Sequence, residues 1–386
     1  METSPGQRKI LFVDHTAAIG GAELSLLDLA AAYAQTSKVL LFTDGPLQNR
    51  LKQAGIPLSI VQASKTMLEI RASGRLKSIT QIPEIWRIAG LIAQEGAGYD
   101  LILANSQKAF ITCALATLRG SPPVFWYLHD ILTARHFSQV NRAIAVFFAN
   151  RFATKVLVNS QATGEAFAAA GGNKKLCDVV YNGFNSQKFD TVNIQDIERI
   201  RSNLGIEDAP LVGVFSRLSY WKGQHVLLEA VKELPQVQVI LVGEALFGEE
   251  DYVSQIKALA NESQLQGRVH WLGFRDDIPA LMKACDLIIH TSTEPEPFGR
   301  VIVEGQLAQK PVIASAAGGA LELVEDGKTG LLFSPGDAIA LRQQIQTLIS
   351  DRPLGQTIAQ QGYLHAKTNF SLETILESFT QVIAKA

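Results

Sequence analysis

Short apolar runs alternate with longer amphipathic stretches along almost the whole chain, and that alternation predicts the fold class. In the first half, Lys9–Asp14, Val39–Asp44, Leu58–Val61, Asp100–Asn105, Val124–His129 and Lys155–Ser160 read as strands. Apolar residues at helical spacing mark Ala22–Tyr33, Ile82–Gln94 and Arg142–Phe152 between them. The second half repeats the plan, with strands at Leu211–Phe215, Val237–Val242, Val269–Leu272, Leu287–Thr291, Pro311–Ala314 and Gly330–Phe333. Its helical patterns are Gly223–Lys232, Tyr252–Gln264, Arg300–Ala308, Ala338–Ser350, Leu354–Thr368 and a last run Glu373–Lys385. Nearly continuous apolar strands joined by helices are expected for parallel sheets covered on both faces. The turn-rich segment Asn182–Asp190 separates the halves. The expected organisation is an α/β protein of two doubly wound domains, residues 1–188 and 189–368, followed by a terminal helix in 369–386.

Composition narrows the picture. A chain of 386 residues is too long for one ordinary core, and its 47% hydrophobic content can fill two. Cys113, Cys177 and Cys285 are far apart and odd in number, so neither a disulfide framework nor a metal-ligand spacing is expected, and a cytoplasmic setting fits. Residues 1–8 lack the apolar run of a signal peptide, and no window holds eighteen consecutive apolar residues. The net charge of −2 conceals an asymmetry. Residues 1–190 carry 19 Lys and Arg against 13 Asp and Glu, whereas residues 191–386 carry 16 against 24. Without a dense Lys/Arg stripe interleaved with aromatics, nucleic acid is not an expected partner.

The densest chemistry lies in Thr293-Glu-Pro-Glu-Pro-Phe-Gly-Arg-Val-Ile-Val-Glu-Gly305, which follows the apolar strand Asp286–His290. A strand, a glycine turn and a helix start bring backbone N–H groups and a helix dipole to a strand's carboxyl end. Open α/β sheets bind phosphorylated ligands there. Glu304, inside the helix, can accept two hydrogen bonds from a vicinal diol, and Glu296, on the loop, can meet another hydroxylated group. A diol, a phosphate and a second polyol describe a nucleotide sugar. Ser216-Arg217-Leu218 and Lys222-Gly223 follow another strand, where Arg supplies a planar fork and Lys a mobile point charge for a diphosphate. Gly20-Gly21-Ala22-Glu23 follows the first strand and opens the first helix, and His129 ends the strand Val124–His129. His15 reads as a loop residue. No G-x-G-x-x-G and no D-x-D occurs; the adjacent Asp276-Asp277 are expected to begin a helix.

The spacing of Glu296 and Glu304 around Pro-Phe-Gly resembles the signature of retaining glycosyltransferases of family four, of GT-B fold, and the resemblance runs through nearly the whole chain. It implies two Rossmann-like domains facing each other across a cleft, with the last helix crossing back to the first domain. It also implies a nucleotide-sugar donor, with Glu304 on the ribose, Glu296 on the donor sugar, and Arg217 and Lys222 on the leaving phosphates. His129 would contact the donor sugar. Gly20 and Gly21 would reach the diphosphate, with Ala22 and Glu23 at the acceptor entrance. Phe298, Gly299, Arg300 and Val301 would line the donor site, and Gly243, Glu244, Phe274 and Arg275 would frame the base. The glycines of Ala316–Ala320 would form a second turn beside the donor.

The expected reaction is transfer of a hexose to a hydroxyl of a glycan or lipid-linked saccharide, with no cofactor and no metal, because cations and helix starts can balance the diphosphate. UDP-glucose is the first expectation for the donor and GDP-mannose the second. The alternatives are a nucleotide-sugar epimerase and a non-catalytic binding protein. Lys65, Arg71, Arg75, Lys77 and Arg87, with Arg135, Arg142 and Arg151 around the apolar run Ala143–Phe148, also raise peripheral contact with an anionic membrane, on the inner face of the plasma membrane, against a merely solvated basic face.

Overall fold

The computed structural model describes residues 8–68, 81–134, 137–206, 208–245 and 248–385. The chain divides into two units: residues up to Gly183 with those from Leu372 onward, and Phe184–Ser371.

In the first unit, strands β1 (Ile10–Asp14), β2 (Ser37–Leu41), β3 (Leu58–Ile60), β4 (Leu101–Ala104), β5 (Val124–Leu128), β6 (Ala153–Val158) and β7 (Cys177–Val179) form one sheet in the order β3-β2-β1-β4-β5-β6-β7. All its pairings are parallel. The two-residue period of a strand sends alternate side chains to opposite faces. Ile10 and Phe12 of β1 and Phe125 and Tyr127 of β5 therefore join one core, while Leu11, Val13, Trp126 and Leu128 join the other. The helix Leu372–Ala384 completes the first of these cores through Ile375, Phe379, Val382 and Ile383. Phe379 meets Tyr33 edge-on with ring centroids 5.8 Å apart, and the Tyr33 and Thr380 hydroxyls are 2.8 Å apart.

The second unit holds β8 (Leu211–Phe215), β9 (Gln238–Val242), β10 (Val269–Gly273), β11 (Leu287–His290), β12 (Val312–Ser315) and β13 (Leu331–Phe333), in the order β10-β9-β8-β11-β12-β13. This sheet too is parallel throughout. Leu287 and Ile289 of β11 enter its main core, which leaves Ile288 and His290 on the opposite face. There the helix Arg300–Leu307 lies so close that a Cβ on Gly305 would stand 2.9 Å from Val312 and 3.1 Å from Ile288. The first change of unit falls at 183/184 rather than 188/189. Phe184 donates its N–H to the Phe370 carbonyl at 2.9 Å and stacks on Phe298, so it belongs to the second unit.

The strand expectations differ from the structure mainly at their ends. The strand β7 and the helices Pro46–Gln53, Gln107–Thr117, Gln161–Ala169 and Ile194–Asn203 are additional. Asp277 immediately precedes the helix Ile278–Ala284, as expected, but its side chain pairs with Arg275 and does not cap the helix. Among the described residues, no helix is long and apolar enough to cross a membrane. Arg71, Arg75, Lys77 and Arg135 lie outside the described residues.

Candidate functional site

In each sheet the strand order reverses direction at one place, between β1 and β4 in the first unit and between β8 and β11 in the second. Such switch points leave a crevice at the strands' carboxyl ends. Gly20–Glu23 and His129 lie about the first and Arg217, Lys222, Glu296 and Phe298–Glu304 about the second, whereas Gly243, Glu244, Phe274 and Arg275 follow β9 and β10.

In the second unit, β8 runs into Ser216 and Arg217, a single 3₁₀ turn Tyr220–Lys222, and the helix Gln224–Val231. Buried Gln224 ties this loop down, donating to the Ser216 hydroxyl at 2.8 Å and the Arg217 carbonyl at 2.7 Å while accepting from the Tyr252 hydroxyl at 2.9 Å. The loop after β11 is stitched to it. Thr291 donates its hydroxyl to the Lys222 carbonyl at 2.7 Å, and Thr293 its N–H to the Trp221 carbonyl at 2.8 Å. Gly223 makes this approach feasible: its φ is +69°, and a Cβ there would stand 2.0 Å from the Thr291 oxygen.

This stitching brings Lys222 and Glu296 together. The Lys222 Nζ donates to both carboxylate oxygens at 2.7 Å, and it lies 4.0 Å from the Trp221 ring centre. Glu296 is 8% exposed. Its Oε2 also accepts from the Ser292 hydroxyl at 2.7 Å and lies 3.3 Å from His290 Nε2. Burial opposes the charge on Glu296, but Lys222 and His290 outweigh it and hold the carboxyl well below the usual range. The backbone of Glu296 is fixed as well, bridging Gly318 and accepting from the Gly319 N–H at 2.7 Å. A Cβ on Gly318 would lie 2.3 Å from the Glu296 oxygen. The second glycine turn thus exists to let two loops touch.

Beyond Glu296, Gly299 (φ +102°) opens the helix Arg300–Leu307. Glu304 sits one turn inside it, with the Arg300 Nε 3.6 Å from its Oε1. The Arg300 guanidinium lies 4.4 Å over the Phe184 ring. Phe298 stacks on Phe184 at 6.2 Å and meets Phe370 edge-on at 5.9 Å, and it is 2% exposed. Its ring is packing, so it can offer a ligand only its backbone. Gly243 ends β9 with φ +131° and could not carry a Cβ, which would lie 2.2 Å from the Ser216 oxygen. Glu244 accepts the Phe274 N–H at 3.3 Å, and the Phe274 ring is exposed. Arg275 is held in a two-pronged pair with Asp277, at 2.8 and 2.5 Å.

In the first unit, buried Asp14 ends β1. It accepts from the His15 N–H at 2.6 Å and from Asn105 Nδ2 at 2.7 Å. Burial disfavours its charge, but His15, Asn105 and Ser106 outweigh that and hold its pKa below the ordinary value. Asn105 donates again to the Ala22 carbonyl at 3.2 Å, and its Oδ1 is 2.9 Å from His129 Nε2. His129 rests on Tyr127, with ring centroids 4.0 Å apart. His15, expected from the sequence to be a loop residue, places Nδ1 2.7 Å from the Ser106 hydroxyl and so belongs to this network. Gly20 and Gly21 begin the helix Gly21–Ala32, and Glu23 folds back so that its Oε2 is 2.7 Å from where a Gly20 Cβ would stand. Burial, with Asp14 and Asp130 nearby, pushes the Glu23 carboxyl up to about 8.

Sequence reading missed His290, Ser292 and Ser315 in one unit and Asp14 and Asn105 in the other. A polar residue at the carboxyl end of a buried apolar strand is the signal they share. Among the described residues, no three His, Cys, Asp or Glu side chains are grouped to hold a metal ion.

Two units of doubly wound parallel sheet, with cations and spaced glutamates at a switch point, define a glycosyltransferase of GT-B fold. Residues 19–188 match the family described as Glycosyltransferase Family 4, and residues 196–365 that described as Glycosyl transferases group 1. The chain belongs to this family of glycosyltransferases. The crystal structure of Anabaena HepE in complex with UDP and glucose is 44% identical, with a TM-score of 0.90 over 98% of this chain and 100% of that one. HepE in complex with UDP-glucose is 43% identical, with a TM-score of 0.89 and the same coverage. The lipopolysaccharide core biosynthesis glycosyltransferase LpsE of Rhizobium meliloti is 33% identical over 177 residues, 46% of this chain and 50% of that protein. The chain spans about half the length of the curated relatives it matches.

The raised Glu23 carboxyl carries a pH signature. The folded protein keeps a proton there that the unfolded chain releases above the ordinary value of 4.5, so its contribution to stability is full below that value and is lost as pH rises towards about 8. In thermal unfolding, Glu23→Gln should gain stability relative to the parent between about pH 5 and about pH 8. A difference independent of pH would contradict the assignment.

Proposed function

We propose that this glycosyltransferase moves a hexose from a UDP-hexose, UDP-glucose first, to a hydroxyl of a glycan or lipid-linked saccharide, with retention and without a metal ion. The observation that carries this reading is the buried Lys222–Glu296 pair at the β8/β11 switch point, with Arg217 on the same loop. HepE, in its complexes with UDP-glucose and with UDP and glucose, supports the choice of donor.

In the proposed step the bond from the anomeric carbon to the diphosphate oxygen breaks, and its electron pair leaves on the phosphate. The acceptor oxygen forms the new bond on the same face, and its proton passes to the departing phosphate. Negative charge therefore grows on the leaving group, where Arg217, Lys222 and the N–H groups opening the helix Arg300–Leu307 would lower its energy. Glu296 would take a donor-sugar hydroxyl and Glu304 the ribose diol. Phe298 would contribute backbone, and Arg300 would orient Glu304. Acceptor binding is assigned to Ala22 and Glu23 of the first unit, and His129, held by Asn105, would contact the donor sugar.

A peripheral membrane contact through the first unit, on the cytoplasmic side, fits a lipid-linked acceptor. The helices Ile82–Gly96 and Gln139–Phe152 both pack on Gln107–Thr117. They expose Ile82, Trp86 and Leu91, and Val140, Ile144 and Phe147, respectively. Arg87, Arg119 and Arg151 are exposed beside them. Apolar groups bordered by cations suit an anionic lipid surface.

With UDP-glucose as donor, Arg217→Ala and Lys222→Ala are each expected to lower turnover by about a hundredfold or more, measured below the unfolding transition because Lys222→Ala also loses stability. Near-parental rates in both variants would refute the assignment, and activity abolished by EDTA and restored by Mg²⁺ or Mn²⁺ would refute metal independence. For the membrane contact, sedimentation with phosphatidylglycerol vesicles at low salt should capture the protein, and Phe147→Glu with Ile144→Glu should release it. No capture of the parent would remove that part of the reading.

A further inference from the structure

His290 is a buried imidazole that the chemistry above does not use. It ends β11 on the face away from the main core and is 4% exposed. Its Nδ1 lies 3.3 Å from the hydroxyl of Ser315, the fully buried last residue of the neighbouring β12. Its Nε2 lies 3.3 Å from Glu296 Oε2. A carboxylate only accepts, so the ring must carry its proton on Nε2 to bond there, and in the neutral ring Nδ1 then accepts from Ser315. The chain Ser315–His290–Glu296–Lys222 thereby spans three strand ends, those of β12, β11 and β8.

The two oxygens of Glu296 are treated unequally. Oε2 meets Lys222 at 2.7 Å, Ser292 at 2.7 Å and His290 at 3.3 Å. Oε1 meets Lys222 at 2.7 Å and, among the described residues, no other donor. Each carboxylate oxygen offers about two acceptor sites. Oε2 is therefore filled, and Oε1 keeps room for one more hydrogen bond.

We propose that His290 is a positioning residue for donor-sugar recognition: with Ser292 it saturates Oε2 of Glu296, fixes the carboxylate plane, and directs a hydroxyl of the donor sugar to Oε1. This rests on the reading of Glu296 as a donor-sugar contact. At 3.3 Å the His290 contact is at the long end of the hydrogen-bond range, so it sets direction more than strength. The fully buried Ser315 keeps the ring from turning.

Steady-state kinetics with UDP-glucose, and competitive inhibition by UDP, test this in the full chain. In His290→Ala the KM for UDP-glucose should rise about tenfold or more while the inhibition constant of UDP stays within about twofold, because UDP carries no sugar. His290→Gln, which can still point an amide N–H at Oε2, should recover most of the loss. Ser315→Ala, which leaves the imidazole in place, should show the same pattern more weakly and stands in if His290→Ala does not fold. Equal weakening of UDP and UDP-glucose, or no change in either, overturns the proposal. Glu296→Gln is the control: if it also leaves the UDP-glucose KM unchanged, the reading of Glu296 is what fails.

Discussion

A buried ion pair between two loops, Lys222 and Glu296, is the contact on which the second unit's site depends. Taking both charges out of water is costly, and removing one partner of such a pair commonly destabilises by about 3–5 kcal/mol. The surrounding backbone is arranged around that requirement. Gly223 lets the loop after β8 reach Thr291, and Gly318 and Gly319 let the turn after β12 reach Glu296. Ser292 and His290 supply the remaining donors. The result is a carboxylate that stays ionised while nearly enclosed, beside a cation whose other surface is an indole ring. A charge pair held in this way needs little reorganisation when a ligand arrives, which is what electrostatic catalysis asks of a site.

The first unit shows the opposite use of burial. Asp14 is kept charged by its histidine and amide partners, and that fixed charge helps keep Glu23 protonated near neutral pH. One carboxylate acts as acceptor and structural anchor. The other, on the glycine-opened helix, can donate a hydrogen bond at neutral pH. Asn105 links Asp14 and the Ala22 carbonyl to His129, so the ends of β1, β4 and β5 form one polar network on an otherwise apolar sheet.

Much of the fold was legible because its strands are apolar on both faces, so they stand out as unbroken runs between helical patterns. The strand β7 was not legible: it has three residues with Asp178 in the middle, and it sits at the sheet edge, where burial demands little. At the site, residue types and spacing identified Arg217, Lys222, Glu296 and Glu304, because diphosphates and diols require those groups near a helix start. Spacing could not show that Lys222 and Glu296, 74 residues apart, are partners. Nor could it show that the Phe298 ring is packing, or that Arg275 is already committed to Asp277. Each of those facts is decided by a neighbour distant in the chain or by a local competitor for the same charge. His290 was hidden for a related reason, since the end of a buried strand is a place where a histidine can be either core or site.

Amide hydrogen exchange with and without UDP-glucose, in the presence of EDTA, shows whether the donor docks against the Lys222–Glu296 pair. Strong slowing is expected at Ser216–Gln224 and across Glu296–Glu304, the two segments joined by the Lys222–Glu296 pair. Binding that leaves both segments unchanged and slows exchange only elsewhere would contradict that docking.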